Sequence, residues 1–170
     1  MYKIAKFEKV SLNQYIKDFK DTFNEFEEQQ IIDVYNLINL PLRATKGSAG
    51  YDFYSPINLI LKPNETIKIP TGIRVKIEDG WFLAIFPRSG LGFKYRLQLN
   101  NTVGIIDSDY YYANNEGHIM IKMTNATNEE KVVEIKQNQG FAQGIFMPFG
   151  ITIDDEANVI RTGGFGSTTK

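Results

Sequence analysis

The run ETIKIPTGIRVKIEDGWFLAIF, Glu65–Phe86, decides the fold. It contains three short stretches of β-branched and aromatic residues, cut by Pro70-Thr71-Gly72 and by Asp79-Gly80. Side chains that alternate apolar and polar between turn residues are the pattern of half-buried strands joined by tight loops. The same grammar continues on both sides, in INLILK at Ile57–Lys62, RLQLNNTVGII at Arg96–Ile106, HIMIKM at His118–Met123, KVVEIK at Lys131–Lys136 and GIFMPF at Gly144–Phe149. Many short strands at a spacing of about ten residues predict an all-β domain, as a sandwich, jelly roll or small barrel.

The first forty residues read differently. Lys3–Val10 fits a short strand, after which the period changes at Ser11. Leu12, Tyr15, Ile16, Phe19, Phe23 and Phe26 fall three and four apart, which places them on one face of a helix over 11–30. Ser11 and Gln14 supply a capping-box start. Lys17, Asp18, Lys20, Asp21, Glu25 and Glu27 form the polar face, so this is an amphipathic helix packed on the domain or offered to a protein partner.

At 170 residues the chain has the length of a single domain, 1–170, with a self-sufficient core. Nineteen basic against twenty acidic residues leave a net charge of −1, so no global positive field exists to hold nucleic acid. The absence of cysteine excludes a disulfide framework, a thiol nucleophile and cysteine-ligated zinc, and His118 is the one imidazole. The opening MYKIAKFEKV lacks the apolar core of a signal peptide, and no run approaches the ~20 apolar residues that cross a bilayer. The expectation is a soluble, cytoplasmic protein with no membrane or nucleic-acid partner.

Chemistry-bearing residues gather in three places. In Leu99–Tyr110, LNNTVGIIDSDY, an apolar run stops on Asp107 and Asp109. This is either a strand leaving the core at a turn, or a carboxylate pair that activates water or binds metal. PRSGLG at Pro87–Gly92 combines a guanidinium, a hydroxyl and accessible main-chain amides, which suits a polyphosphate, though a plain turn has the same composition. GGFGST at 163–168 is either a mobile glycine-rich tail or a lid whose Phe165 stacks on a base while its hydroxyls reach phosphates.

Taken in order, GSAGYD at Gly47–Asp52, PRSGLG, NNTVGIIDSDY, FAQGIFMPF at Phe141–Phe149 and RTGGFGST at 161–168 resemble the five motifs of the trimeric dUTPases, over about three quarters of the chain. The long segment YYANNEGHI after Tyr110 is similar to the forms found in low-GC Gram-positive bacteria and their phages. The resemblance implies a jelly-roll-like homotrimer with three shared active sites. These hydrolyse dUTP to dUMP and pyrophosphate, which keeps uracil out of DNA and supplies dUMP for dTMP synthesis.

It further implies roles for individual residues. Asp107 is the carboxylate that activates water for attack on the α-phosphorus; Arg88, Ser89, Gly90 and Gln143 serve the phosphates. Asn101 belongs to the uracil-recognising hairpin, with Gly104 and Ile106 also binding substrate, and Tyr110 packs under deoxyribose and leaves no room for a 2′-hydroxyl. Arg161, Phe165, Gly166 and Ser167 belong to a closing C-terminal lid over 160–170. Mg²⁺ is held chiefly by the phosphates, with Asp52 linked to its waters. Three departures stand out: Gly140 replaces a usual arginine, the spacing from Arg161 to Gly163 is one residue short, and Thr169 replaces a usual glycine. The helix over 11–30 has no counterpart in minimal members. Two rivals are a dUTP-binding regulatory protein that uses this helix, and a dCTP deaminase. The deaminase would need a glutamate where this chain has Lys122.

Overall fold

The computed structural model describes residues 2–159, 161 and 163. The expected lid over 160–170, with Phe165, Gly166 and Ser167, lies outside the described residues except for Arg161 and Gly163. The described residues form twelve strands and three α-helices. In chain order these are β1 (Ala5–Lys9), α1 (Leu12–Thr22), α2 (Glu28–Asn36), β2 (Leu42–Arg43), β3 (Tyr51–Tyr54), β4 (Leu59–Leu61), β5 (Thr66–Pro70) and β6 (Ile73–Ile77). There follow β7 (Trp81–Pro87), α3 (Ser89–Tyr95), β8 (Leu97–Leu99), β9 (Gly104–Ile106), β10 (Met120–Asn125), β11 (Val133–Ile135) and β12 (Gly140–Pro148).

Every strand pairing is antiparallel. The largest sheet has the order β2-β3-β12-β7-β9, and β5-β10-β8 forms a second; β1 pairs with β6 and β4 with β11. Alternation explains which faces meet. In β10, Ile121, Met123 and Asn125 point inward and Lys122 outward; in β6, Ile73, Val75 and Ile77 are buried and Lys76 is exposed. The residues of RLQLNNTVGII do not form one strand. The chain turns at Asn100–Val103, where Thr102 has φ 65°, and crosses from β10 to β7 between β8 and β9. PRSGLG is a short helix start rather than a turn, with Arg88 as the N-cap of α3.

The helical segment over 11–30 is two helices, not one. The first ends at Phe23, and the second, reaching Asn36, opens with a full capping box between Glu27 and Gln30. At α1 only half of the expected box forms: Ser11 Oγ accepts from Gln14 N at 3.2 Å, while the Gln14 amide turns to Asp18. The Ser11 N–H is satisfied instead by Glu116, 2.7 Å away. The apolar stripe of α1 is spent inside the chain: Tyr15 and Phe19 are fully buried and, with Phe23, Ile31 and Val34, join the strand residues in one core. Asp18, expected on the solvated face, turns inward to His118.

Candidate active site

Strand β9 ends at Ile106, and Asp107 becomes the N-cap of a 3₁₀ turn, Ser108–Tyr112. The turn carries Asp109 back toward Asp107, so both carboxylates meet one cation. Arg161 Nη2 donates to Asp107 Oδ2 at 2.6 Å, and Arg161 Nε lies 2.9 Å from Asp109 Oδ1. The guanidinium carbon stands 5.8 Å from the centre of the Tyr110 ring. Burial raises the Asp107 pKa above the ordinary aspartate range and Asp109 adds to the rise, while Arg161 opposes it. A half-buried carboxylate that holds its proton more tightly than usual has the character of a general base.

Alongside β9, a cleft of about 420 Å³ lies between the β8–β9 turn and β10. Asn101, Gly104 and Ile106 line it together with Ile85 and Met120. A side chain at 104 would come within 3.1 Å of Ile85 Cβ, so the glycine lets β9 lie close to β7. A larger groove of about 660 Å³ along β1 and β6 reaches Ser108 and Asp109, but none of the other expected site residues lines it.

A second group sits where β3, β12 and β7 run side by side. Gln143 stands opposite Asp52 on one side and Phe86 on the other, and its amide donates to the Pro87 carbonyl at 3.3 Å. Arg88 Nε pairs with Asp52 Oδ1 at 3.2 Å, and Arg88 Nη1 donates to the Gly140 carbonyl at 3.4 Å. A Cβ at 140 would fall 2.7 Å from that same Nη1. The missing side chain at Gly140 is thus the space that the Arg88 guanidinium occupies. Ser89 and Gly90 follow on the exposed first turn of α3.

The structure therefore gathers Asp107, Asp109, Tyr110 and Arg161 where the chain leaves β9, places the Asn101 turn and its cleft at the strand's other end, with Ile106 lining that cleft and preceding Asp107, and brings Asp52, Arg88, Gly140 and Gln143 together at the start of β12. Among the described residues no cluster of three or more His, Cys, Asp or Glu could hold a metal. Asp52 alone, largely buried and facing Arg88, suits a contact through a cation's water better than direct chelation. Sequence reading overlooked three contributors. Ile85 and Met120 line the cleft from strands read only as core, and Asn115 donates to the Tyr110 hydroxyl at 2.8 Å. The polar tract of YYANNEGHI was the available signal for Asn115.

Comparison with known proteins agrees with this arrangement. The dUTPase family model matches residues 36–169. The deoxyuridine 5′-triphosphate nucleotidohydrolase of Lactococcus lactis is 43% identical over 134 residues, covering 77% of this chain and 88% of its own length. That of Paraburkholderia xenovorans is 39% identical over 149 residues, covering 83% and 96%. Among solved structures, the dUTPase from Streptococcus mutans superposes with a TM-score of 0.63 at 34% identity, covering 88% of this chain and 98% of its own. The dUTPase of Staphylococcus aureus phage phi11 has the same fold, with a TM-score of 0.62 at 19% identity over 92% and 97%. With β2 to β12, its cleft and its carboxylate turn in the segment that the family model spans, the chain belongs to the dUTPase family.

Proposed function

We propose that this protein hydrolyses dUTP to dUMP and pyrophosphate, with Asp107 as the base that activates water. The observation that carries the reading is Asp107 itself: half-buried, held above the ordinary aspartate range, paired with the Arg161 guanidinium, and next in the chain to Ile106, which lines the cleft. Water oxygen attacks the α-phosphorus, the bond from the α-phosphorus to the bridging oxygen breaks, pyrophosphate leaves, and the water's proton passes to Asp107.

The cleft takes the uracil, with the Asn101 amide matching its polar edge and Ile106 and Ile85 its faces. Tyr110 packs beneath the sugar. Arg88, Ser89, Gly90 and Gln143 serve the phosphates, and Arg161, with Phe165, Gly166 and Ser167 of the C-terminal segment, closes over them. Arg161 then exchanges Asp107 and Asp109 for phosphate oxygens. That exchange frees the base only when substrate is present. Mg²⁺, bound through the phosphates, would supply charge neutralisation at the triphosphate. The contribution of this chain is Asp52, whose carboxylate would accept hydrogen bonds from the cation's waters.

In this reading the finer architecture is a jelly-roll-like β-fold assembled as a soluble, cytoplasmic homotrimer. Assembly would unite the residues that flank β9 with those at the start of β12 into each complete site. No separate partner is assigned to α1, because its apolar stripe is spent on the core. Pyrophosphate release from dUTP, dCTP, dTTP and UTP, with Mg²⁺ and with chelator, tests the proposal. Rapid Mg²⁺-dependent release from dUTP alone, lost by orders of magnitude in Asp107→Asn with dUTP affinity kept, is the expected result. Ammonia release from dCTP, or full turnover by Asp107→Asn, would overturn it.

A further inference from the structure

His118 is fully buried, and the hydrolysis just described makes no use of it. Its two ring nitrogens have different partners. The Gly72 backbone N–H donates to Nε2 at 2.8 Å, so Nε2 carries no proton. The neutral ring's proton therefore sits on Nδ1, which faces Asp18 Oδ2 at 2.6 Å. Asp18 belongs to α1, outside the residues that the family model matches. Burial pushes its pKa up, but the hydrogen bonds from His118 and Gln14 outweigh this and hold it below the ordinary range.

The backbone of the same residue faces the other way. The His118 carbonyl accepts from the Tyr110 hydroxyl at 2.8 Å, and that hydroxyl accepts in turn from Asn115 Nδ2 at 2.8 Å. His118 thus links helix α1, through its side chain, to the aromatic ring of the candidate site, through its carbonyl. The surroundings leave this link little play. Gly117 sits at φ 69°, and a side chain there would come within 2.7 Å of the Tyr110 carbonyl oxygen. Gly72 sits at φ 73°, and a Cβ would lie 2.3 Å from Ile38 and 3.2 Å from Tyr15 of α1. Glu116 receives both the N–H and the hydroxyl of Ser11, at 2.7 and 2.6 Å. The N-terminal helix and the long segment after Tyr110 are therefore two halves of one packed unit.

We propose that Asp18, acting through His118, is a positioning residue for Tyr110, so that helix α1 sets how strictly the site prefers deoxyribose to ribose. The inference rests on the reading of Tyr110 as the residue beneath the sugar. An off-position ring admits a 2′-hydroxyl that a fixed ring excludes. A hydroxyl occupies little volume, so small displacements suffice.

The test is the ratio of kcat/KM for dUTP to that for UTP, measured on the full chain well below its melting temperature. Asp18→Ala removes the acceptor of the His118 proton and lowers the ratio by about tenfold, whereas Asp18→Asn, which still presents an oxygen to Nδ1, keeps it near wild type. Tyr110→Phe cuts the bond to the His118 carbonyl while keeping the ring. It loses discrimination to the same extent, and adding Asp18→Ala to it costs little more. An unchanged ratio in folded Asp18→Ala overturns the proposal, even if that variant melts earlier. Should Asp18→Ala not fold, full discrimination in Tyr110→Phe overturns it equally. Tyr110→Val separates the two claims. If removing the whole ring leaves the ratio intact, the sugar-contact reading falls; if Tyr110→Val loses discrimination while Asp18→Ala and Tyr110→Phe retain it, only the positioning role falls.

Discussion

Truncating Phe19 to alanine asks whether the N-terminal helices belong to the same cooperative unit as the β-strands. The Phe19 ring is fully buried, with centroids of Phe23 at 4.9 Å, Phe26 at 5.2 Å and Tyr15 at 5.4 Å. Deleting such a ring costs about 3–5 kcal/mol, because the lost transfer energy is joined by a cavity that its neighbours only partly fill. Native domains hold about 5–15 kcal/mol in total, so the loss is a large share of it. At about 2–4 °C per kcal/mol for a chain of this size, the melting midpoint should fall by about 6–20 °C. The assay is thermal and urea unfolding at fixed protein concentration, followed by two probes. Trp81, the single tryptophan, opens β7 and reports the largest sheet; far-UV circular dichroism reports the helices, of which α1 and α2 make up most. The two curves should move down together, as one transition. A loss under about 1 kcal/mol, or helices that melt while Trp81 fluorescence stays at its wild-type midpoint, would refute the assignment of α1 to the shared core.

Other perturbations read the site's electrostatics. Asp109 is one of the influences that raise Asp107, so Asp109→Asn should move the acid limb of the kcat/KM profile for dUTP to lower pH. A raised folded pKa means that the native chain binds this proton more tightly than the unfolded chain, and stability attached to Asp107 weakens as pH rises from the ordinary aspartate range through the folded value. Asp107→Asn should then abolish hydrolysis without lowering the melting midpoint at pH 7; a marked drop there would contradict the sign. Asp18 has the opposite sign: its pKa is lowered, so its contribution is present above the unfolded value and is lost as pH falls through the lower folded one. The stability difference between the wild type and Asp18→Asn should therefore be full at pH 7 and shrink on acidification. Gly140→Ala places a methyl 2.7 Å from Arg88 Nη1 and must displace a flexible side chain, so KM for dUTP should rise with little change in stability. Unaltered KM in that variant would detach Arg88 from phosphate binding.

Most strands were legible because a period of two survives any tertiary context that buries one face, as in IRVKI of β6 and MIKMTN of β10. The same local signal cannot report that β8 and β9 belong to different sheets. That depends on which partner each side of the Asn100–Val103 turn finds, and Arg96–Ile106 therefore read as one run. Helix α2 was missed although EQQIIDVYN carries Ile31, Val34 and Tyr35 at helical spacing and a capping box at Glu27 and Gln30, because the reading stopped the helix at residue 30.

In the site, Asp107 was visible as a carboxylate that ends an apolar run. Its contact with Arg161 was not, since position along the chain does not tell which anion a guanidinium meets. The Asp18–His118 pair is the extreme case. On a helical wheel Asp18 sits at the border of the charged face, between Asp21 and Tyr15, and its inward turn depends on a single imidazole one hundred positions away. Two oddities that looked unrelated in sequence, an added N-terminal helix and a lengthened segment after Tyr110, turn out to need each other: the helix needs Glu116 to complete its cap, and His118 needs the helix to accept its proton. The two halves are unequal: removing the helix would leave the buried His118 N–H without its acceptor, at about 1–3 kcal/mol, whereas water can replace Glu116 at the exposed Ser11 cap.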